Sequence, residues 1–263
     1  MTSRFMSIRR IALGAAGGVG VLAVLEGVSR AGLLDRDALP PMTTVLSEAG
    51  KLAVDEDFLV DVGSSLQAWL GGLALAVLVA VPLGVLLGSV PLLDTASRAL
   101  VELLRPIPSV ALIPLAIILF AEPLQMKMSL VFYACLWPIL INTLYALRDV
   151  DPVAKESLRS FGFGTLSVLW RVSLPSAAPF IVTGVRIAAS VALIVVISTE
   201  LFAGGWDGIG IYLSDTQSGG GRTDLLLAGA FWAGLLGLLA NGLLLLFERL
   251  AFRWNTARVE GVS

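Results

Sequence analysis

Residues 149–175 read DVDPVAKESLRSFGFGTLSVLWRVSLP, an ordered polar stretch set between long apolar runs. Cationic side chains lie in or beside it at Arg148, Lys155, Arg159 and Arg171, with glycines at Gly162 and Gly164 and a proline at Pro175. Asp151-Pro152 is a good helix start, because aspartate caps free amides and proline is tolerated in a first turn. Residues 153–161 then make a short amphipathic helix, and Gly162 permits the left-handed turn that ends it. A second short helix is expected from about residue 165 to 172, before Pro175 redirects the chain into the next apolar run. A bilayer protein gains no stability from such a loop, so it is read as a surface that touches something in the cytoplasm. The plainer reading is an amphipathic interfacial loop whose basic side chains touch lipid headgroups.

The surrounding chain explains why a membrane is invoked at all. Of 263 residues, 57% are hydrophobic and 14% charged, with a mean hydropathy of +0.89. Soluble domains carry roughly 45–50% apolar and about 25% charged residues. There is no histidine and a single cysteine, Cys135. That composition excludes a disulfide framework, a Cys/His zinc cluster and a Ser-His-Asp triad. Cys135, inside YACLW, reads as a small core residue.

Apolar runs at 11–28, 62–90, 100–120, 129–147, 177–203 and 225–250 are each about long enough to cross a hydrocarbon core. The expected architecture is therefore all-α and polytopic, with about six transmembrane helices and both termini on one side. Three parts are expected: residues 1–58 as a first helix and external linker, 59–250 as the membrane domain, and 251–263 as a cytoplasmic tail. Cationic residues set the sidedness. With the N-terminus inside, the cytoplasmic faces hold Arg4, Arg9, Arg10, Arg98, Arg105, Arg148, Lys155, Arg159, Arg171, Arg249, Arg253 and Arg258. The outer faces hold only Arg30, Arg36, Lys51, Lys127 and Arg222, together with the acidic cluster Asp55, Glu56, Asp57 and Asp61. Arg9-Arg10 before an apolar stretch has the look of a signal peptide. Glu26 and the absence of a small-x-small cleavage site favour a retained helix.

The third run is irregular. Arg105-Pro106-Ile107-Pro108-Ser109 removes two backbone donors, and Pro114 follows. Residues 106–120 span roughly 22 Å as a helix, short of a core of about 30 Å. The region is either a kinked helix completed by residues 96–104 or a broken one lining a cavity. Gly84-x-x-x-Gly88 and Ala233-x-x-x-Gly237 have the spacing that lets helix backbones approach closely, or arise by chance in a glycine-rich chain.

Glu156-Ser157-Leu158, three residues, Gly162, nine residues and Val172-Ser173-Leu174-Pro175 resemble the cytoplasmic signature of ABC importer permeases. These are the inner-membrane components of binding-protein-dependent transport systems. Their pattern is Glu-Ala-Ala, three residues, Gly, nine residues, Ile-x-Leu-Pro. Both alanines and the isoleucine are replaced here, and Leu158 is the bulkier change. Arg105-Pro106-Ile107-Pro108 with Pro114-Leu115, Thr183-Gly184-Val185-Arg186, Thr199-Glu200 and Gly208-Ile209-Gly210 look like motifs of the nitrate/sulfonate/taurine/bicarbonate branch. The likeness covers roughly residues 40–250.

The resemblance implies a type I importer permease in the bacterial inner membrane, paired with a second copy or a related permease. It also implies two ATPase subunits and an extracytoplasmic solute-binding protein as partners. The loop helices would dock in a groove of the ATPase through Glu156, Ser157, Leu158, Gly162, Leu174 and Pro175, with Glu156 meeting a basic side chain. The chain has no Gly-x-x-x-x-Gly-Lys-Ser/Thr loop, so no cofactor is expected here and ATP and Mg belong to the partner. The cargo would be a small solute, with a sulfonate, taurine or nitrate in view.

Candidate pathway or gate residues are Ser109, Asn142, Arg186 and Glu200. Arg186 and Glu200 are too far apart on one straight helix to pair, about 21 Å. Arg186 is expected to snorkel to the interface, and Glu200 to serve structure or gating, since a carboxylate repels an anionic cargo. An ion-gradient transporter is the alternative, but no repeat is visible and Glu200 has no counterpart in the first three runs. A lipid-modifying membrane enzyme is disfavoured by the missing histidines.

Overall fold

The computed structural model describes residues 2–35 and 37–252, with side chains described from residue 13 onward except at positions 15, 36 and 91. The expected tail, 251–263, lies outside the described residues from 253 on, and the charges placed at Arg4, Arg9, Arg10, Arg36, Arg253 and Arg258 lie outside the described side chains. The described residues are helical throughout: α1 (Thr2–Arg30), α2 (Met42–Leu52), α3 (Glu56–Ser89), α4 (Pro91–Leu104), α5 (Ile113–Leu119), α6 (Pro123–Arg148), α7 (Pro152–Ser160), α8 (Thr165–Val168), α9 (Leu174–Ala203), α10 (Ile209–Ser218) and α11 (Thr223–Ala251). Among them α3, α6, α11 and the continuous stretch Thr165–Ala203 are long and apolar enough to cross a membrane. A fifth span arises if the bent pair Leu92–Leu104 and Ser109–Leu119 counts as one. The first expected span falls in α1 and is not among these; part of it lies outside the described side chains.

The chain divides into two compact units. One comprises the described residues up to Asp61 together with Tyr212–Gly234. Its α2 buries Met42, Val45, Ala49 and Leu52, a three-four spacing that puts them on one helix face. Trp232 donates its indole N–H to the Ala49 carbonyl at 2.9 Å, and the Phe58 ring, 1% exposed, meets Tyr212 edge-on at 5.0 Å. Thr223 Oγ1 donates to the Asp37 carbonyl at 2.6 Å.

The second unit comprises Val62–Ile211 and the described residues from Leu235 on. Its core is built on close backbone approach. Ala68, Gly72, Ala76, Ala80, Gly84 and Gly88 recur every fourth residue along α3, and the three alanines are fully buried. A Cβ added at Gly72 would lie 2.5 Å from the Val131 Cβ, and one at Gly84 would lie 2.7 Å from the Thr143 Cβ. The Gly84/Gly88 spacing is thus a packing seam of α3 against α6, as small-xxx-small spacing allows. Large apolar side chains such as Leu78, Ile118 and Phe202 remain exposed, as suits helices solvated by lipid.

The third apolar run is broken, with a bend of 76° between Leu92–Leu104 and Ser109–Leu119. Pro106 and Pro108 have no N–H to return to the carbonyls four residues earlier. Tyr133 Oη takes up one of those carbonyls, donating to Leu104 O at 2.7 Å. Ser109–Leu112 restarts the helix as a tighter 3-10 turn.

The loop at 149–175 differs from expectation at one end. Asp151 caps α7, accepting from Val153 N at 2.8 Å, and Gly162 adopts φ +82. Pro175, however, does not redirect the chain. Thr165–Ala203 runs on as one helix through a π-helical turn at Leu169–Ser173. The wider turn keeps the Pro175 ring clear of the Arg171 carbonyl, which an α-helical turn would bring into collision.

Candidate functional site

Three groups of residues follow from this framework, all within the second unit. The first is the elbow of α7 and α8. None of α7 is buried, and Glu156 and Ser157 are exposed, with Leu158 half-buried. Glu156 has no ion-pair partner among the described residues. Apolar side chains stand beside it in solvent: Phe161 is 82% exposed and Leu166 68%. The elbow is nonetheless firmly held. Lys155 Nζ donates to the Leu147 carbonyl at 3.1 Å, and the Phe163 amide returns to the Leu158 carbonyl at 3.2 Å. Arg171 lies over the Phe163 ring at 4.8 Å, and Leu174 packs on the cluster of Ala146, Leu147, Val150 and Ala177. A rigid, exposed surface of one carboxylate among aromatic and aliphatic side chains is suited to docking, not to chemistry.

The second group lines an open groove of about 380 Å³ at the broken span. Arg105 and Ser109 enter it from the break, Tyr133, Trp137 and Asn142 from α6, and Ile187 and Val191 from α9. The structure therefore brings Ser109 and Asn142 together and adds Arg105. Among the described residues no carboxylate lines the groove. Gly184 makes room for Asn142, since a Cβ there would stand 2.6 Å from the Asn142 Cβ. Asn142 Nδ2 donates to the Pro138 carbonyl at 2.7 Å. Asn142 also borders a second cavity of about 410 Å³, lined by Tyr145, Ala146, Arg148, Asp149 and Phe180.

Arg186 and Glu200 are outside both cavities. Arg186 pairs with Glu248 of α11 at 3.1 Å, and Thr183 Oγ1 donates to the same carboxylate at 3.1 Å. Thr183 and Arg186 of the Thr-Gly-Val-Arg motif thus share one partner, which sequence reasoning missed because Glu248 lies 65 residues away from Thr183.

Glu200 sits in the third group, a closed polar knot. It is fully buried and pairs with Lys127, itself 2% exposed, at 2.9 Å. Lys127, counted from sequence among the charges of the outer membrane face, has its side chain buried in this knot. Lys127 Nζ also donates to Ser64 Oγ at 3.2 Å and to the Asp207 carbonyl at 2.8 Å. Ser65 Oγ lies 2.9 Å from each Glu200 oxygen and accepts from Ile209 N at 3.0 Å. Gly210 N donates to Glu200 Oε2 at 3.0 Å. Every acceptor and donor of the pair is thereby engaged, the condition for a tolerable buried ion pair. The Gly208-Ile209-Gly210 motif has its cause here. A Cβ at Gly208 would fall 2.4 Å from the Glu200 carboxyl, and one at Gly210 would fall 2.5 Å from the Ile197 carbonyl oxygen.

Comparison with known proteins agrees with this layout. The profile of the family described as "Binding-protein-dependent transport system inner membrane component" matches residues 80–253. The taurine transport system permease protein TauC of Escherichia coli (strain K12) is 32% identical over 244 residues, covering 88% of this chain and 87% of TauC. The nitrate import permease protein NrtB of Leptolyngbya laminosa is 28% identical over 189 residues, covering 72% and 67%. A putative aliphatic sulfonates transport permease protein, SsuC of E. coli (strain K12), is 37% identical over 166 residues, covering 63% and 61%. Among solved structures, a chain of a bacterial ABC transporter involved in the import of the acidic polysaccharide alginate shares the fold. Its TM-score is 0.62 at 16% identity, covering 93% of this chain and 98% of that one. This chain belongs to the binding-protein-dependent transport inner-membrane family: it is a multi-pass permease subunit of an ABC importer, without catalytic activity or cofactor of its own, served by a separate ATPase.

Proposed function

We propose that the chain forms the translocation path for a small anion delivered by an extracytoplasmic solute-binding protein. The observation that carries this is the groove at the broken span. Among the described residues its ionisable lining side chains are Arg105 and Tyr133, with no carboxylate, and it shares Asn142 with a second cavity bordered by Arg148 and Asp149. Relatives whose names specify nitrate, bicarbonate, aliphatic sulfonates and taurine support a cargo that is a small oxyanion or a zwitterion bearing one. In the assembled importer two permeases, identical or related, stand on two ATPases that hold ATP and Mg. α1 supplies the sixth span, and the Lys/Arg distribution puts both termini and the elbow in the cytoplasm. Glu156, Ser157, Leu158, Gly162, Leu174 and Pro175 form the grip by which closure of the ATPases rocks the spans.

Proteoliposomes containing the permease and its ATPase, supplied with the binding protein, test this. ATP-dependent uptake of labelled nitrate, bicarbonate, taurine or an alkanesulfonate is expected. Glu156→Lys should abolish uptake and the stimulation of ATPase by loaded binding protein together. Uptake driven by an ion gradient without ATP would overturn the reading.

A further inference from the structure

No described side chain in residues 90–112 is buried, although buried Leu87 and Ile113 flank the stretch. Leu92 and Leu103 of α4 are more than two-thirds exposed, while Val101 rests on the core from mid-helix. A cavity of about 200 Å³ lies between α4 and α6, walled by Ser97, Val101 and Glu102 on one side and by Ile141, Leu144 and Tyr145 on the other. Polar side chains of α6 reach the arm near both of its ends. The Tyr133 hydroxyl donates to the Leu104 carbonyl at 2.7 Å, and the Arg148 guanidinium donates to the Asp94 carboxylate.

The Asp94–Arg148 pair is unlike the Lys127–Glu200 knot. The Arg148 side chain is 37% exposed and that of Asp94 14%, so water can replace each partner, and pairs of this kind are weak. Each charge also keeps a second partner on its own helix. Arg98 donates to the other Asp94 oxygen at 2.9 Å, and the Arg148 guanidinium lies 5.7 Å from the Tyr145 ring centre. Separating Asp94 from Arg148 therefore strands neither charge, whereas separating Lys127 from Glu200 leaves two buried charges without a counter-ion. Arg148 is the last residue of α6 and adjoins the elbow loop. At the other end of the arm Arg105 lines both this cavity and the groove, and the 76° bend at Pro106 and Pro108 follows it. A proline break of that kind absorbs a change of angle between the segments it joins. We propose that α4 is a hinged arm latched to α6 by the Asp94–Arg148 pair, and that displacement of the elbow's root releases the latch and opens the groove at its Arg105 edge. The latch rests on the reading of the elbow as the grip of the ATPase and adds the element that responds to it.

The test measures the separation of two spin labels by pulsed electron resonance in the purified permease–ATPase complex. One label is placed by Leu92→Cys on α4, the other by Phe180→Cys on α9, which borders the same cavity as Arg148; both positions are exposed, and the natural Cys135 is buried and stays unlabelled. Labelled permease is diluted into unlabelled, so that only distances within one chain are read. One short separation is expected without nucleotide, and a non-hydrolysable ATP analogue should populate a longer one. Asp94→Asn and Arg148→Gln should each raise the longer population about threefold without nucleotide, the size expected of so exposed a pair. The swap Asp94→Arg/Arg148→Asp should restore the short separation, because the relocated carboxylate meets the introduced guanidinium and Arg98. ATP hydrolysis without binding protein should rise with the longer population and fall back in the swap. An unchanged separation in both single variants overturns the latch. So does a natural complex whose arm never moves with nucleotide, since the pair is then a fixed brace. Glu156→Lys separates the two readings: it should abolish the response to nucleotide while Asp94→Asn still lengthens the separation. If nucleotide moves the arm equally well in Glu156→Lys, the elbow is not the grip and the latch stands. Should Asp94→Asn not assemble with the ATPase, Arg148→Gln and the swap decide the matter by the same readouts.

Discussion

Lys127 and Glu200 are charged residues that membrane burial would normally forbid, and they persist because each satisfies the other and its neighbours. Their worth to the fold is best seen by breaking the set unevenly. Removing one member leaves an uncompensated buried charge, which typically costs about 3–5 kcal/mol. Lys127→Met is therefore expected to lower the unfolding midpoint of the solubilised protein by several degrees. The double variant Lys127→Met/Glu200→Leu, which buries no charge, should recover much of that loss. Thermal unfolding followed by exposure of Cys135 to a thiol reagent reads both, because Cys135 is fully buried. Equal loss in the single and double variants would mean that the hydrogen bonds to Ser65, Ile209 and Gly210, and not the charges, hold the knot. Gly208 belongs to the same argument. Its φ of +153 and the 2.4 Å approach to the carboxyl leave no room for a side chain, so Gly208→Ala should destabilise about as much as the lysine change.

At the scale of elements, the α3–α6 seam depends on residues that contribute no side chain at all. A valine at Gly72 would meet not only Val131 but the Met128 backbone oxygen at 2.9 Å, so the helices must separate instead of merely repacking. Overpacking of that kind costs about 1–3 kcal/mol per site. Gly72→Val with Gly84→Val is expected to reduce the yield of folded protein on size-exclusion chromatography, whereas valine at the open Gly234 should not. The elements themselves were largely legible in sequence, because runs of apolar residues between charges are dictated by the hydrocarbon thickness. The elbow was legible for a different reason: a cap, a glycine and a proline at fixed offsets constrain the backbone locally. What sequence left open was settled by distant partners. The break at Pro106 and Pro108 needed the Tyr133 hydroxyl to donate to the freed Leu104 carbonyl. The carboxylate of Glu200 needed a lysine from another helix, one that nothing in the sequence pairs with it. The partner of Arg186, Glu248, lies in the last helix, and no local pattern points across that separation.

For the whole molecule the decisive feature is that Thr165–Ala203 forms one helix, about 58 Å long at the usual rise. One end carries the elbow, the middle borders the groove through Ile187 and Val191, and the far end carries Glu200. A displacement at the elbow therefore reaches the groove and the knot through a single rigid rod, with no hinge at Pro175. The rod is irregular at Pro175 and Pro179, which lack backbone donors, and at the π-helical turn of Leu169–Ser173, which holds one residue more than an α-helical turn would. Its role is angular: each residue of an α-helix turns the chain by about 100°, so the extra residue sets the direction in which the elbow faces. Deleting Trp170, a 66% exposed residue inside that turn, should restore α-helical winding and swing α7 and Glu156 about a third of a turn around the rod. Span packing beyond Ala177 is untouched, so the deletion variant is expected to insert and unfold thermally like the natural protein. It should nevertheless fail to retain the ATPase on co-purification and show no uptake. Trp170→Ala, which keeps the turn and removes only the side chain, should retain both. If the deletion leaves ATPase binding and uptake intact, the elbow is compliant, and force reaches the spans by some route other than this helix.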